Sequence, residues 1–352
     1  MRQRINRVHY SFYDTFGDSA FNARPDSLTA VNAPKISSWT ESAGMNIGGP
    51  LKIPHVYDGT DKTFFYINFG GTWARSPVDQ FSTVPTLAER PTLSGNTANF
   101  SADLGALLYA TPAGVTTTAS AGNTPLMVTD TSNSSLQARQ GMIFNQSTGQ
   151  AYAGNILPGP FNAAAIALLN NFIPSPTPGL ANQQLNYHLQ TNLPSLSNRL
   201  NVNVTHQISS KLSLQVNYNL TNGTSHSLNS FPGIEGNTFT RGQSLTIGLT
   251  QNWTKTFLHT SQIYFSRNRS LGLNEFSNLN DISSQLGCPP SPCGINGISS
   301  SAIDFGLPQI NFTNFTGLND PNFSLSRSQT YRYVDSMRWI KTKHTVLSLI
   351  HI

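Results

Sequence analysis

NRLNVNVTHQISSKLSLQVNYNLTNG, residues 198–223, is built on a repeat of two. Leu200, Val202 and Val204 alternate with Asn201, Asn203 and Thr205. A polar turn, 207–211, interrupts the pattern. It then resumes, with Leu212, Leu214, Val216, Tyr218 and Leu220 against Ser213, Gln215, Asn217, Asn219 and Thr221. Successive side chains of a strand point to opposite faces, so the stretch reads as a hairpin with one apolar and one polar face. The wet face of a soluble sheet carries Lys and Glu as a rule. Here it carries Asn, Ser, Thr and Gln, which suits a water-filled lumen with the other face in lipid. The strand length also fits the roughly 9–11 residues that a tilted strand needs to cross a bilayer. A soluble β-sandwich or β-solenoid is the competing reading of the pattern alone.

Composition points the same way. Of 352 residues, 11% are charged, against about 25% in ordinary soluble domains. Hydrophobic residues make up 38%, and the missing charge is replaced by small polar residues and glycine. The net charge of +5 raises nucleic acid as a partner. The basic residues are scattered, however, and no Lys/Arg run forms a phosphate-binding patch, so nucleic acid is set aside. No run of about 18 apolar residues offers a transmembrane helix. The start at Met1 has no leader character and runs into a strand pattern, so the chain reads as a piece of a longer exported protein. Residues 347–352, Leu347-Ser348-Leu349-Ile350-His351-Ile352, read as a translated sequencing adapter and are left out of the fold reasoning.

Outward from the central hairpin, further alternating segments emerge. Arg4–Tyr13 and Trp39–Ile47 are predicted strands. Gly48-Gly49-Pro50 and Asp58-Gly59 then supply turn chemistry. Thr63–Arg75 follows, with Phe65, Ile67, Phe69 and Trp73 on one face. Beyond the hairpin come 244–253, 258–268 and Gln329–Ile340, with Lys341-Thr342-Lys343 turning into a last strand. The connections alternate in length: short at 50–62, 207–211, 254–257 and 341–343, longer at 223–242, and very long at about 76–196 and 271–326. Outer-membrane barrels pair short periplasmic turns with long extracellular loops in this manner. A sandwich has no reason to gather every long loop at one end. The expected fold is therefore all-β, a partial antiparallel transmembrane β-barrel of about eight or nine strands of a larger barrel, spanning 1–346.

Inside the first long loop one helix is predicted, about Asn162 to Phe172, opened after Pro160 and stopped by Pro174. Cys288 and Cys293, in Cys-Pro-Pro-Ser-Pro-Cys, are expected to form a disulfide stiffening the second long loop in an oxidising compartment. A zinc site would need two further ligands, and no His or Cys lies near. The histidines are dispersed, and no nucleophile elbow or phosphate loop is present. The carboxylate pairs Asp58/Asp61 and Asp79/Glu89 fall at turns and loop starts, where Asp is ordinary. No catalytic, cofactor-binding or metal residues are assigned, and the chain is not expected to be an enzyme. The triplet Asn252-Trp253-Thr254 arises by chance in an Asn/Thr-rich chain. Tyr57, Tyr66, Trp73, Trp253, Tyr264, Tyr331, Tyr333 and Trp339 are candidates for interfacial aromatic girdles.

Several motifs carry a family resemblance. Gly48-Gly49-Pro50-Leu51-Lys52-Ile53-Pro54 followed by Asp61-Lys62-Thr63-Phe64-Phe65-Tyr66-Ile67-Asn68-Phe69 resembles the start of the barrel in TonB-dependent outer-membrane receptors. The likeness is to the subgroup with an N-terminal carboxypeptidase-regulatory-like domain. Residues 80–86 with Glu89-Arg90, Gly154-Asn155-Ile156-Leu157-Pro158, Asn198-Arg199-Leu200-Asn201-Val202 and Leu318-Asn319-Asp320-Pro321-Asn322 are similar to motifs of that subgroup, in the same order. The resemblance implies a 22-strand barrel filled by a plug. Extracellular loops would capture a ligand, and the TonB complex would drive its uptake through the plug. Neither the plug nor its TonB-contacting box is found in this sequence. The implied setting is the Gram-negative outer membrane, with outer-membrane lipid and, through the parent's plug, TonB as partners. The ligand class and its contact residues are not legible, though contacts are expected from loops 76–196 and 271–326. The alternative is a non-transporting surface barrel or adhesin that binds partners through the same loops.

Overall fold

The computed structural model describes residues 7–24, 34–91, 97–105, 139–181, 184–229, 231–286 and 299–352, plus short backbone segments between 109 and 137. Nine strands form one antiparallel sheet in chain order. They are β1 (His9–Asp18), β2 (Trp39–Pro50), β3 (Thr63–Ser82), β4 (Tyr187–Ser209), β5 (Leu212–Leu228), β6 (Glu235–Thr254), β7 (Phe257–Asn274), β8 (Ser324–Lys341) and β9 (His344–His351). The sheet is open, with β1 and β9 at its edges.

Register converts the alternation of each strand into rows across the sheet. Tyr10, Ile47, Ile67, Val202, Tyr218, Leu245, Phe265 and Tyr331 stand side by side from β1 to β8. One residue along every strand the row is Ser11, Asn46, Asn68, Asn201, Asn219, Ser244, Ser266 and Thr330. A slip of one residue in any strand would put a residue of the polar face into the apolar row. The matched patterns of eight strands thus fix one register.

The strands run further than the alternation predicts. β1 ends at Asp18 rather than Tyr13, and its predicted start at Arg4 lies outside the described residues. β3 continues to Ser82 and β4 begins at Tyr187. The connection between them is therefore 83–186, narrower at both ends than 76–196. Likewise 275–323 replaces 271–326, and 229–234 replaces 223–242. Pro77 and Pro194 hid the extension, because proline argues against a central strand. Both sit where a strand has lost one neighbour. The pairing of β2 with β3 ends at Trp39 and Arg75, and that of β4 with β5 ends at Ser195 and Ser225. Each proline thus occupies a local edge, where it is tolerated.

Antiparallel order places the connections 19–38, 83–186, 229–234 and 275–323 at one end, and the short turns 51–62, 210–211, 255–256 and 342–343 at the other. The predicted helix is present as α1 (Ala163–Phe172). Asn162 caps it, its side chain accepting from the amides of Ala164 at 2.9 Å and Ala165 at 3.2 Å. The buried hydrophobic cluster lies in the long connections, not in the sheet: Val84, Ile173, Phe231, Ile234, Ile282, Leu286, Leu307 and Leu318. Three loops share this core and form a cap at the long-loop end.

Candidate functional site

The polar face of the sheet is a hydrogen-bonded wall. Asn46 Nδ2 donates to Ser11 Oγ at 3.2 Å, Asn68 Nδ2 to Asn46 Oδ1 at 2.6 Å, and Tyr66 Oη to the same oxygen at 2.8 Å. Asn219 Nδ2 donates to Asn217 Oδ1 at 2.6 Å and Ser244 Oγ at 3.2 Å. Uncharged amides can donate and accept at once, so adjacent strands link without any ion pair. Gly44 and Gly70 leave space for the Tyr13 ring. A Cβ at either would stand 2.5 Å from the Tyr13 hydroxyl.

The cap is fastened by polar side chains that imitate backbone. Asn186 accepts from the Val84 amide and donates to the Val84 carbonyl, both at 2.8 Å, closing the top of the β3–β4 pair. Asn155, 2% exposed, accepts from Ile143 N at 2.8 Å and donates to the carbonyls of Phe100 and Gly141. Arg90 reaches the end of α1 and donates to the carbonyls of Leu169, Ile173 and Pro174. Those carbonyls lack partners inside the helix, and a cation there also suits the helix dipole. Thr83 and Thr316 exchange hydrogen bonds at 3.0 and 2.9 Å, joining the first long loop to the last.

Between these two loops lies an apolar cleft of about 470 Å³. Phe100, Phe161, Ile166 and Leu169 line it from one loop, and Phe312, Phe315 and Leu318 from the other. Glu89 reaches its wall. Burial pushes the Glu89 carboxyl above its usual range, opposed by the Thr86 amide it accepts from. Burial also raises Asp320 to about 6, against the pull of the Leu307 amide at 2.9 Å and with the push of the Glu275 carboxylate. A cleft of this volume and lining has the character of a small-molecule site.

A family model described as outer membrane beta barrel domain matches residues 6–347. This chain belongs to that family. The outer-membrane barrel therefore resides in the Gram-negative outer membrane, its apolar rows in lipid and its Asn/Ser rows facing the lumen. The long-loop end with its cap is extracellular by the same architecture. Two solved structures are similar. One is the outer membrane transporter YddB from Escherichia coli, with TM-score 0.44 and 6% identity over 97% of this chain and 29% of that chain. The other is the Ferric-Catecholate import receptor Fiu from E. coli K12, open form, with TM-score 0.37 and 8% identity over 98% and 44%. The chain spans less than half the length of either. No curated protein matches it.

The barrel sorts the residues expected from sequence. Trp73, Trp253, Tyr331, Tyr333 and Trp339 share the parity of the apolar rows and face lipid. Tyr66 and Tyr264 do not. Period two places them on the lumen wall, Tyr66 bonded to Asn46 and Tyr264 5.1 Å beneath the Arg332 guanidinium. Tyr57 lies in the short turn against Thr63. Asp58 accepts from Thr60 and pairs with Lys52 at 3.6 Å. Asp79 is held by His188 at 2.5 Å, while Glu89 is held in the cap, so that pair is not brought together. Cys288 and Cys293 lie outside the described residues. Asn155, Asp320 and Arg90 were legible only as parts of family-like motifs. Nothing in their local sequence announces burial.

Proposed function

We propose that this chain is the ligand-capturing part of a TonB-dependent outer-membrane receptor. The observation that carries the reading is the pairing of a lumen wall rich in Asn, Ser and Thr with a loop cap that holds one apolar cleft at its extracellular end. The two loops that form the cleft are those expected to make ligand contacts. The cleft favours a ligand with an apolar or aromatic portion, and the wall below offers it mainly amide and hydroxyl groups. An open sheet edge in lipid leaves backbone groups without partners, so further strands of the parent protein would close the barrel around a plug. Uptake would then draw its energy from the TonB complex. No catalytic step is assigned to the chain, and the N-terminal carboxypeptidase-regulatory-like domain that the resemblance implies would belong to the parent as well.

The test uses the full-length parent protein in outer membranes. Its periplasm-facing region should bind the purified periplasmic domain of TonB. Replacing Phe161 and Phe315 by Ser should weaken ligand binding at least tenfold while the heat-modifiable gel mobility of a folded barrel persists. A parent protein with no affinity for TonB would overturn the transporter reading and leave a surface-binding barrel.

A further inference from the structure

On the lipid-facing side the apolar belt ends in arginine. Arg241 on β6, Arg269 on β7 and Arg327 on β8 are successive cross-strand partners. Arg267 stands on the same face, between Gln243 and Gln329. Neighbouring strands lie about 4.8 Å apart, so three guanidinium groups share a patch roughly 10 Å wide. Like charges placed opposite one another are unfavourable. Among the described residues, the side chains of the four form no ion pair and no hydrogen bond. Arg269 Nε is shielded from water without an acceptor. On the three strands that carry the arginines, the acids of this face are elsewhere. Asp335 is eight residues down β8 and held by His259 at 2.8 Å, and Glu235 is six residues up β6. The next outward row, Phe239, Leu271 and Leu325, is apolar again. The charge is thus confined to a narrow band.

The height of that band is set by the strands. Trp253 and Arg241, Phe257 and Arg269, and Trp339 and Arg327 are each twelve residues apart, with the aromatic member beside a short turn. Twelve residues at about 3.4 Å, tilted by roughly 40°, rise about 30 Å. The apolar band of such barrels is about 25 Å tall between its aromatic girdles. With Trp253, Phe257 and Trp339 at the periplasmic interface, the arginines emerge among the headgroups of the outer leaflet.

We propose that Arg241, Arg269 and Arg327, with Arg267 beside them, form a binding site for the phosphate groups of the phosphorylated glycolipid of the outer leaflet. An arginine fork grips phosphate through two parallel hydrogen bonds. A lipid phosphate would cancel the repulsion within the row, and its acyl chains would lie along Leu245 and Phe265 below. The site is on the outside of the barrel and is independent of what the loops bind.

The test titrates the purified full-length parent, in detergent, with that glycolipid and with the same glycolipid after enzymatic removal of its phosphates. Wild type should bind the phosphorylated form at least tenfold more tightly. The R241Q/R269Q/R327Q variant should lose that preference while keeping its heat-modifiable mobility. R199Q, on the lumen wall, should keep it. Should the triple variant fail to fold, R269K, which keeps the charge and removes the fork, should show a reduced preference. Equal binding of both lipids by wild type, full retention in the variants, or equally tight binding of phosphatidylglycerol would overturn the proposal.

Discussion

Phe231 and Ile234 in the cap are wholly buried, whereas Tyr331 and Ile263 on the sheet are 73% and 57% exposed. The contrast runs through both regions. Every buried hydrophobic residue described lies outside the nine strands, and the lipid face of the sheet holds many of the exposed ones. In the cap, water drives apolar groups together, and each fully buried side chain is worth about 1.5–3 kcal/mol. The sheet meets lipid on one side, where apolar groups need no protein cover. Its fold is held instead by backbone ladders and by matched rows. The same chain therefore contains an ordinary protein core and a membrane wall, divided near the level of Arg241.

A charge is the sharpest probe of that division. Val202 and Asn201 are adjacent in β4, one facing lipid and the other the lumen. Arginine at the lipid-facing position near mid-membrane should cost roughly 2–4 kcal/mol of barrel stability. Arginine at Asn201 should cost far less, because water reaches that face. Denaturant midpoints of the two variants of the full-length parent in lipid vesicles would compare them. Equal losses would break the assignment of faces.

The second largest effect belongs to the cap. Asn155→Ala strands the Ile143 amide and the carbonyls of Phe100 and Gly141 in a site that is 2% exposed. An unsatisfied buried group costs about 1–3 kcal/mol. Hydrogen exchange should show faster opening within 97–105 and 139–158, while amides of β4 and β5 keep their protection. Parallel loosening of the sheet would mean that cap and wall are one cooperative unit.

These two regions also differ in how far their sequence could be read. The sheet was legible because each strand obeys period two and each neighbour obeys the same parity, so local pattern and tertiary register agree. Legibility failed above the membrane, where Ser76–Ser82 and Tyr187–Ser197 do not keep apolar and polar residues on opposite faces and Pro77 and Pro194 interrupt them. The cap was legible at one helix, through Pro160 and Pro174. The rest depends on residues brought together only by folding, such as Phe161 and Phe315 in the lining of one cleft or Arg90 with the end of α1. The arginine row escaped reading for the same reason. Arg241, Arg269 and Arg327 become neighbours only once the register is known.

A reversible probe of the cap comes from Asp320. Its folded value near 6 lies above the ordinary 3.8, so the folded cap prefers the protonated form. The stability it confers is complete below about pH 4, is lost as pH rises through 6, and is level above that. Proteolysis or exchange at 299–318 should therefore quicken between pH 4 and 6. Asp320→Asn should remove most of that dependence, and an unchanged pH profile would remove Asp320 from the account. The sheet, whose lumen wall is built mainly from amides and hydroxyls, should show no matching step.

The smallest expected effect makes the comparison most directly, because it repeats one substitution in the other region. Asn201 lies in the Asn/Ser row of the lumen wall, and its side chain donates to Asn219 Oδ1 at 2.5 Å. Asn201→Ala removes this bond just as Asn155→Ala removes three. The groups left behind are not equivalent. Asn219 is only partly buried and keeps Asn217 and Ser244 as acceptors for its own amide. Lumen water can take the place of the lost donor at little cost. The net value of a replaceable hydrogen bond is about 0.5–1.5 kcal/mol, so the loss should sit at or below the lower end. A denaturant midpoint within error of wild type is expected in lipid vesicles. A loss as large as that of Asn155→Ala would mean that the wall is dry at this row, covered by protein rather than facing an aqueous lumen.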